Sequence, residues 1–157
     1  MSENLGVKPN LVTEIESCED IQIEEVDTFF LYDIKFHMKT LCNESIKIYD
    51  TIQLSDNSKK IVGFREISYE INIKTPTHAQ KIKVSKESFG DSLALDMRER
   101  GVLTNPWEIK FEKSDTTIRL RSFIGFPQSD FGDNMYYKID TRGKLTVLRI
   151  ENPVLGE

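Results

Sequence analysis

The chain contains few of the residues that most often carry catalytic or metal chemistry. Its 157 residues include two cysteines, two histidines and one tryptophan. Cys18, Cys42, His37 and His78 do not form the close pairs, such as C-x₂-C, that are typical of zinc sites. Glycine-rich phosphate loops and the G-x-S-x-G nucleophile motif are also missing from the sequence. We therefore expect no bound metal and no cofactor.

The sequence also lacks a long apolar run. No stretch approaches the roughly 20 residues that are needed to cross a bilayer. The start of the chain, Met1-Ser2-Glu3-Asn4, has neither the basic residues nor the apolar run of a signal peptide. Two thiols without a secretion signal fit a reducing compartment. We therefore expect a cytoplasmic protein with no membrane partner, in which Cys18 and Cys42 are free thiols.

Residues 14–27 contain no base, and this absence is the strongest asymmetry in the sequence. The acidic residues of this segment are Glu14, Glu16, Glu19, Asp20, Glu24, Glu25 and Asp27. Two like charges 4 Å apart repel each other by about 1 kcal/mol in water. Since the whole chain carries a net charge of −5, the remainder is close to neutral. We expect this acidic segment to be mobile, or to be matched by bases of the same chain or of a partner.

Alternation of apolar and polar residues dominates the rest of the chain. Phe30, Tyr32, Ile34, Phe36 and Met38 share one face if residues 29–38 form a strand, whereas a helix would turn two of them toward water. The same period of two recurs at residues 45–54, 60–73, 80–84, 107–111, 118–123, 137–139 and 145–147. This pattern predicts about eight strands.

One segment has helical spacing instead. Phe89, Leu93 and Met97 recur every four residues, which predicts a buried stripe on one principal α-helix over about residues 85–100. Arg98 and Arg100 fall in the last turn of this helix, where positive charge complements the helix dipole. The glycine that follows, at position 101, is placed for a left-handed cap.

These patterns predict a β-dominated α+β fold, because strands and helices do not alternate as they do in a doubly wound sheet. We expect an antiparallel sheet or a partly closed barrel of about eight strands with one principal helix. Residues 1–13 are predicted to be a flexible N-terminal tail, residues 14–27 an acidic segment, and residues 28–157 a single β-rich domain.

The leading functional hypothesis is a non-catalytic intracellular protein-interaction module, such as a regulator, adaptor or inhibitor of a larger protein complex. Either an exposed sheet edge or the acidic segment would contact the partner protein. The partner-binding residues predicted in the acidic segment are Glu19, Asp20, Ile21, Ile23, Glu24 and Glu25. The sequence leaves open whether the protein is a monomer or a homodimer.

Two alternatives remain open. In the first, the protein is a nucleic-acid-binding module that uses a basic and aromatic sheet face, formed by Lys81, Lys83, Arg119, Arg121 and Phe126. An ordinary solvated strand face explains the same bases. In the second, it is a small enzyme whose site lies around one of the two histidines.

Overall fold

A computed structural model describes residues 12–127 and 129–152 of the chain. Within these residues there are ten strands, more than the eight predicted. The strands are β1 (Val12–Ile15), β2 (Glu25–Phe30), β3 (Ile34–Gln53), β4 (Lys59–Lys74), β5 (Ala79–Val84), β6 (Val102–Leu103), β7 (Glu108–Glu112), β8 (Thr117–Gly125), β9 (Gly132–Asp140) and β10 (Leu145–Glu151). The predicted tail lies mostly outside the described residues, and its last two residues begin β1 instead.

The first sheet is built around a long hairpin of β3 and β4. Strand β3 runs continuously through the region where two strands were predicted, and its pairing shifts by bulges between Cys42 and Ile48. The strand order is β1-β4-β3-β2, with β5 paired to the other end of β4. Every pairing in this sheet is antiparallel except that of β1 with β4.

The second sheet is antiparallel and contains the two hairpins predicted near the end of the chain. Its order is β10-β9-β8-β6, and β7 also pairs with β8. Leu145 lies opposite Ile139 and Val147 opposite Tyr137, as the alternation predicted. Gly143 in the connecting turn has a φ of 88°, which is the conformation that this turn requires of a glycine.

The inner faces of the two sheets share one hydrophobic core. Its largest fully buried side chains include Tyr69, Tyr137, Phe36, Phe89, Ile71 and Ile118. The fold is therefore β-dominated as predicted, but it consists of two antiparallel sheets, and these do not close into a barrel. Alternation within single strands could not show this, because it does not specify which strands pair.

The predicted helix is broken into two short pieces. A 3₁₀ helix covers Lys86–Ser92, and the α-helix, α1, covers only Leu95–Arg100. Gly90 interrupts the first piece with a φ of 46° and a ψ of −130°, a conformation that glycine adopts more readily than other residues. Gly101 has a φ of −78°, so the predicted left-handed cap is wrong. No helix in the described ranges is long and apolar enough to span a bilayer.

The buried positions within these segments were predicted more accurately than the secondary structure. Phe89, Leu93 and Met97 are all buried, although Phe89 lies on the 3₁₀ helix, Met97 on α1 and Leu93 between the two. Similarly, Ile34, Phe36 and Met38 are buried on one face of β3. Tyr32 does not share that face, because the chain turns over Leu31–Asp33 and Tyr32 has a φ of 65°.

Cys18 and Cys42 are joined by a disulfide, so the expectation of free thiols is wrong. The bond connects the 3₁₀ helix Cys18–Asp20 in the acidic segment to β3. Their separation of 24 residues gave no sign of this proximity. The cytoplasmic location stays a prediction, and the disulfide weakens it, because structural disulfides persist mainly in oxidising compartments.

Candidate functional site

Both ends of the acidic segment belong to strands of the first sheet, and its charge is partly matched by a base of the same chain. The Glu14 carboxylate lies 2.6 Å from the ammonium of Lys60. The Glu16 carboxylate accepts a hydrogen bond from the backbone N–H of Arg65 at 2.9 Å. Ile21 packs against the core. Lys60 therefore meets the prediction of matching bases in part, and it is not one of the bases of the predicted nucleic-acid face.

The six predicted partner-binding residues differ in their surroundings. Ile23 is exposed over 47% of its surface, whereas Ile21 is half-buried. Glu19 and Asp20 are exposed and form no ion pair with any described residue. The Glu25 carboxylate accepts a hydrogen bond from the His37 ring at 2.7 Å, and this bond lowers the pKa of Glu25.

A groove of about 470 Å³ lies beside this segment, and we call it the apolar groove. Two of the predicted residues, Ile21 and Glu24, contribute to its lining. The other lining residues come from β4, β6 and the loops near them, and include Arg65, Ile67, Leu103, Asn105, Pro106 and Trp107. This volume is in the range of pockets that bind small molecules or single side chains of a partner.

The walls of the apolar groove are held by contacts between distant segments. The side-chain amide of Asn105 donates a hydrogen bond to the carbonyl of Gln22 at 2.8 Å. From below, the hydroxyl of Tyr69 donates to the carbonyl of Thr104. Burial raises the pKa of Tyr69 well above its usual value, so this hydroxyl stays a neutral donor. The loop that carries Trp107 is therefore anchored to both the acidic segment and the core.

Trp107 also begins a row of alternating aromatic and arginine side chains, which we call the arginine–aromatic ladder. It crosses the outer face of the second sheet in the order Trp107, Arg121, Tyr136, Arg149. The guanidinium carbon of Arg121 lies 3.8 Å from the Trp107 ring centre and 4.6 Å from the Tyr136 ring centre. The guanidinium carbon of Arg149 lies 3.8 Å from the centre of the same tyrosine ring. Strand register makes this row, since Arg121 and Arg149 are both cross-strand neighbours of Tyr136.

The charges on this outer face are largely paired. The ion pairs are Lys110–Glu108 at 3.9 Å, Arg119–Asp115 at 2.8 Å, Lys138–Asp115 at 3.2 Å and Arg149–Glu151 at 2.8 Å. A hydrogen bond from the Thr117 hydroxyl, followed by those from Arg119 and Lys138, lowers the pKa of Asp115 to about 2. Arg121 differs from the other bases of this face, because no described carboxylate pairs with it and its buried Nε has no hydrogen-bond partner.

The residues of the predicted nucleic-acid face are not brought together. Lys81 and Lys83 lie on β5 in the first sheet, whereas Arg119 and Arg121 lie on β8 in the second. Since the two sheets share a core through their inner faces, these bases lie on separate outer faces. The Lys81 ammonium also lies 3.3 Å from the carboxylate of Glu70.

Phe126, the aromatic residue predicted for the same face, lies instead beside the helix α1. Its ring centre is 5.3 Å from the guanidinium carbon of Arg100. It lies just beyond the end of β8 and is half-buried against the core. Its position therefore does not extend the row of bases on either sheet.

The two histidines have ordinary structural partners. His37 contacts Glu25 as described above. The ring of His78 lies 3.0 Å from the Thr77 hydroxyl through Nδ1 and 2.9 Å from the Thr141 carbonyl through Nε2. This arrangement satisfies both nitrogens of a neutral ring and connects the β4–β5 turn to the β9–β10 turn. Cys42 cannot serve as a nucleophile beside either histidine while it is in the disulfide.

The fold and site define a class of protein: a two-layer β-sheet protein with an apolar groove that continues into an arginine–aromatic ladder. Within the described part of the chain, no group of three or more His, Cys, Asp or Glu side chains is arranged to hold a metal ion. No protein-family model matches the chain, and no curated protein is significantly similar to it. The function must therefore be inferred from the site itself.

Sequence reasoning did not identify Trp107, Tyr136 and Arg149 as functional residues. Trp107 begins the alternating pattern of residues 107–111, and Tyr136 and Arg149 lie just outside the patterns of residues 137–139 and 145–147. The one local signal was the scarcity of tryptophan, since Trp107 is the only one in the chain. Nothing in the sequence showed that these residues share a row, because that depends on the pairing of β8, β9 and β10.

Proposed function

We propose that this protein is a non-catalytic protein-interaction module, and that its apolar groove and Trp107 receive an apolar side chain from an extended segment of a partner protein. The observation that carries the proposal is that Trp107 is 57% exposed while it lines the groove. Large aromatic side chains are usually more buried than this, and contiguous exposed apolar surface marks interaction sites.

The energy available at Trp107 is large enough to matter for binding. An aromatic side chain buries about 150–250 Å² when it is fully covered. Covering the exposed 57% of Trp107 would therefore contribute about 2–4 kcal/mol at 25 cal/mol per Å². Tryptophan, tyrosine and arginine are also the residue types that dominate binding energy at protein interfaces. The ladder places all three types next to the groove.

The acidic segment indicates how a partner segment would be oriented in the groove. Glu19 and Asp20 are exposed and directly precede Ile21, which lines the groove. A partner segment with a basic residue at this end would be favoured by charge complementarity. Salt should weaken this part of the interaction, because exposed charges are screened.

The proposal can be tested with a library of displayed peptides, because Trp107 is the only tryptophan and its fluorescence reports on the groove directly. Peptides would be selected on the wild-type protein and then titrated while Trp107 emission is recorded. Binding in the groove should shift the emission. The Trp107→Ala variant has no tryptophan emission, so its affinity would be measured by the fluorescence anisotropy of dye-labelled peptides, and it should be lower than that of wild type by about tenfold or more, given the energy above.

Leu95→Ala is the matched control, because Leu95 is 59% exposed on α1 and does not line the groove. This variant should bind the peptides as the wild-type protein does. Circular dichroism would establish that both variants are folded. If no peptide is enriched on wild type over Trp107→Ala, the groove is not a docking site and the proposal is wrong.

The two alternative functions have weaker support. Nucleic-acid binding requires neighbouring free bases, but the four predicted bases are divided between two sheets, and Lys81 and Arg119 are in ion pairs. A histidine-based enzyme requires a nucleophile beside the ring. The described partner of His37 is a carboxylate, and the ring of His78 connects two turns.

A further inference from the structure

We propose that Arg121 binds a carboxylate of the partner, from an Asp or Glu side chain that lies within a few residues of the apolar side chain in the groove. This inference rests on the proposed function, and it adds the chemistry of a second recognised residue. It assigns to Arg121 a ligand rather than a purely structural role in the ladder.

The charge balance of the outer face is the first support. Lys110, Arg119, Lys138 and Arg149 each lie within 4.0 Å of a carboxylate of the same chain. Arg121 has no such partner among the described residues, although it lies between strands that carry these pairs. A guanidinium cannot lose its charge at physiological pH. Among these five bases, Arg121 is the one without a described carboxylate within 4.0 Å.

The orientation of the Arg121 side chain is the second support. Its guanidinium carbon lies 3.8 Å from the centre of the Trp107 ring and 4.6 Å from the centre of the Tyr136 ring, so both rings pack against the group. Since Nε is buried, the donors that remain for a ligand are those of the two terminal nitrogens. Arginine is favoured for binding carboxylates because its planar group offers two parallel donors to the two carboxylate oxygens. The packing of the two rings holds these donors in place before a ligand arrives, which lowers the entropic cost of binding.

The connection to the groove is the third support. Trp107 lines the apolar groove, and its ring centre also lies 3.8 Å from the guanidinium carbon of Arg121. One extended segment that fills the groove would therefore pass directly beside Arg121. The nearest competitor is Glu108, which lies opposite Arg121 across the β7–β8 pair but directs its carboxylate to Lys110 at 3.9 Å. A partner carboxylate does not have to displace an existing ion pair of Arg121.

The experiment uses peptides selected on the wild-type protein and made with an amidated C-terminus, so that only a side chain can supply the carboxylate. An enriched Asp or Glu at a constant distance from the enriched apolar residue is the first expected result. Replacing that acid by the corresponding amide should weaken binding to the wild-type protein by about tenfold or more, as is common for coupled charges at interfaces. The same replacement should have no effect on binding to Arg121→Gln.

Two further variants separate recognition from structure. Arg119→Gln removes the same charge from the same face, but Arg119 already pairs with Asp115, so the acid-to-amide effect should stay as large as in wild type. Arg121→Lys keeps the charge and loses the planar pair of donors, so the effect should become smaller. If Arg121 had a purely structural role, replacing it would change the melting temperature, but the difference in affinity between the acid and amide peptides would be the same as in the wild-type protein.

The outcomes distinguish this inference from the proposed function. If selected peptides share an apolar residue but no acid, or if the acid matters equally in Arg121→Gln, the inference about Arg121 is wrong while the groove remains a docking site. If every selected peptide binds Trp107→Ala as well as it binds the wild-type protein, the proposed function itself is wrong. In a further outcome, replacing the peptide's acid by its amide weakens binding to the wild-type protein but to neither Arg119→Gln nor Arg121→Gln. That result would show a general attraction of the acid to a basic face, and it would also overturn the inference.

Discussion

Replacing both disulfide cysteines, as Cys18→Ser together with Cys42→Ser, should lower the stability of the protein substantially. The bond closes a loop of 24 residues. The chain-entropy relation for a loop of this size gives a stabilisation of about 3.5 kcal/mol at 25 °C. For a domain of this length, 1 kcal/mol corresponds to roughly 2–4 °C, so the melting temperature should fall by about 10 °C.

The structure also indicates which part of the chain should lose stability when the disulfide is removed. The disulfide attaches the 3₁₀ helix of the acidic segment to β3, but other contacts hold the same segment. These are the pairing of β1 with β4, the Glu14–Lys60 ion pair and the bond from Asn105 to Gln22. We therefore expect the variant to remain folded, with faster amide hydrogen exchange concentrated near residues 16–22.

The assay is thermal unfolding followed by circular dichroism, with and without a phosphine reductant. Reductant should lower the melting temperature of the wild-type protein and leave that of the double-serine variant unchanged. A thiol titration before each scan would establish whether the bond is closed. Equal melting temperatures for the variant and for wild-type protein with a closed bond would refute the reasoning, since the loop would then contribute nothing.

Three other predictions concern the core, pH and nucleic acid. Leu93→Ala should destabilise the protein by about 2–5 kcal/mol, because Leu93 is 2% exposed, and an unchanged urea midpoint would contradict its burial. Asp115→Asn should lower the melting temperature above pH 3.8, because the folded protein stabilises the ionised Asp115 carboxylate and so lowers its pKa to about 2. The difference between the variant and wild type should disappear as the pH falls toward 2 and this carboxylate becomes protonated. A difference that persists below pH 2 would contradict this assignment. Fluorescent oligonucleotides should not bind at low salt, and binding that weakens steeply as salt is added would instead favour the nucleic-acid alternative.

The parts of the fold that were predicted correctly depend on local information. The β9–β10 hairpin follows from alternating residues on both sides of a turn that contains Gly143. The burial of Phe36, Met38 and Leu93 follows from their spacing. The parts that were predicted wrongly depend on context. Gly90 breaks a segment whose apolar spacing suits a continuous helix, and sequence spacing cannot reveal this.

The candidate site was predicted less well than the fold. Ile21 and Glu24, from the predicted acidic segment, do line the groove. The predicted basic face does not form, because neighbouring strands were assumed for bases that lie in different sheets. The disulfide and the exposed Trp107 were both missed, since each acquires its meaning from segments that are distant in the chain.

The amino-acid sequence by itself determined that most of this chain forms strands, which side chains are apolar enough to be buried, and that negative charge is concentrated near residues 14–27. These are properties of single residues and of spacing over a few positions. Only the tertiary structure decided that Cys18 meets Cys42, that Lys81 and Arg121 lie on different sheets, and that Trp107 stacks on Arg121. The physical reason is that strand pairing and register are set by the packing of the whole core, and a period of two is compatible with many pairings.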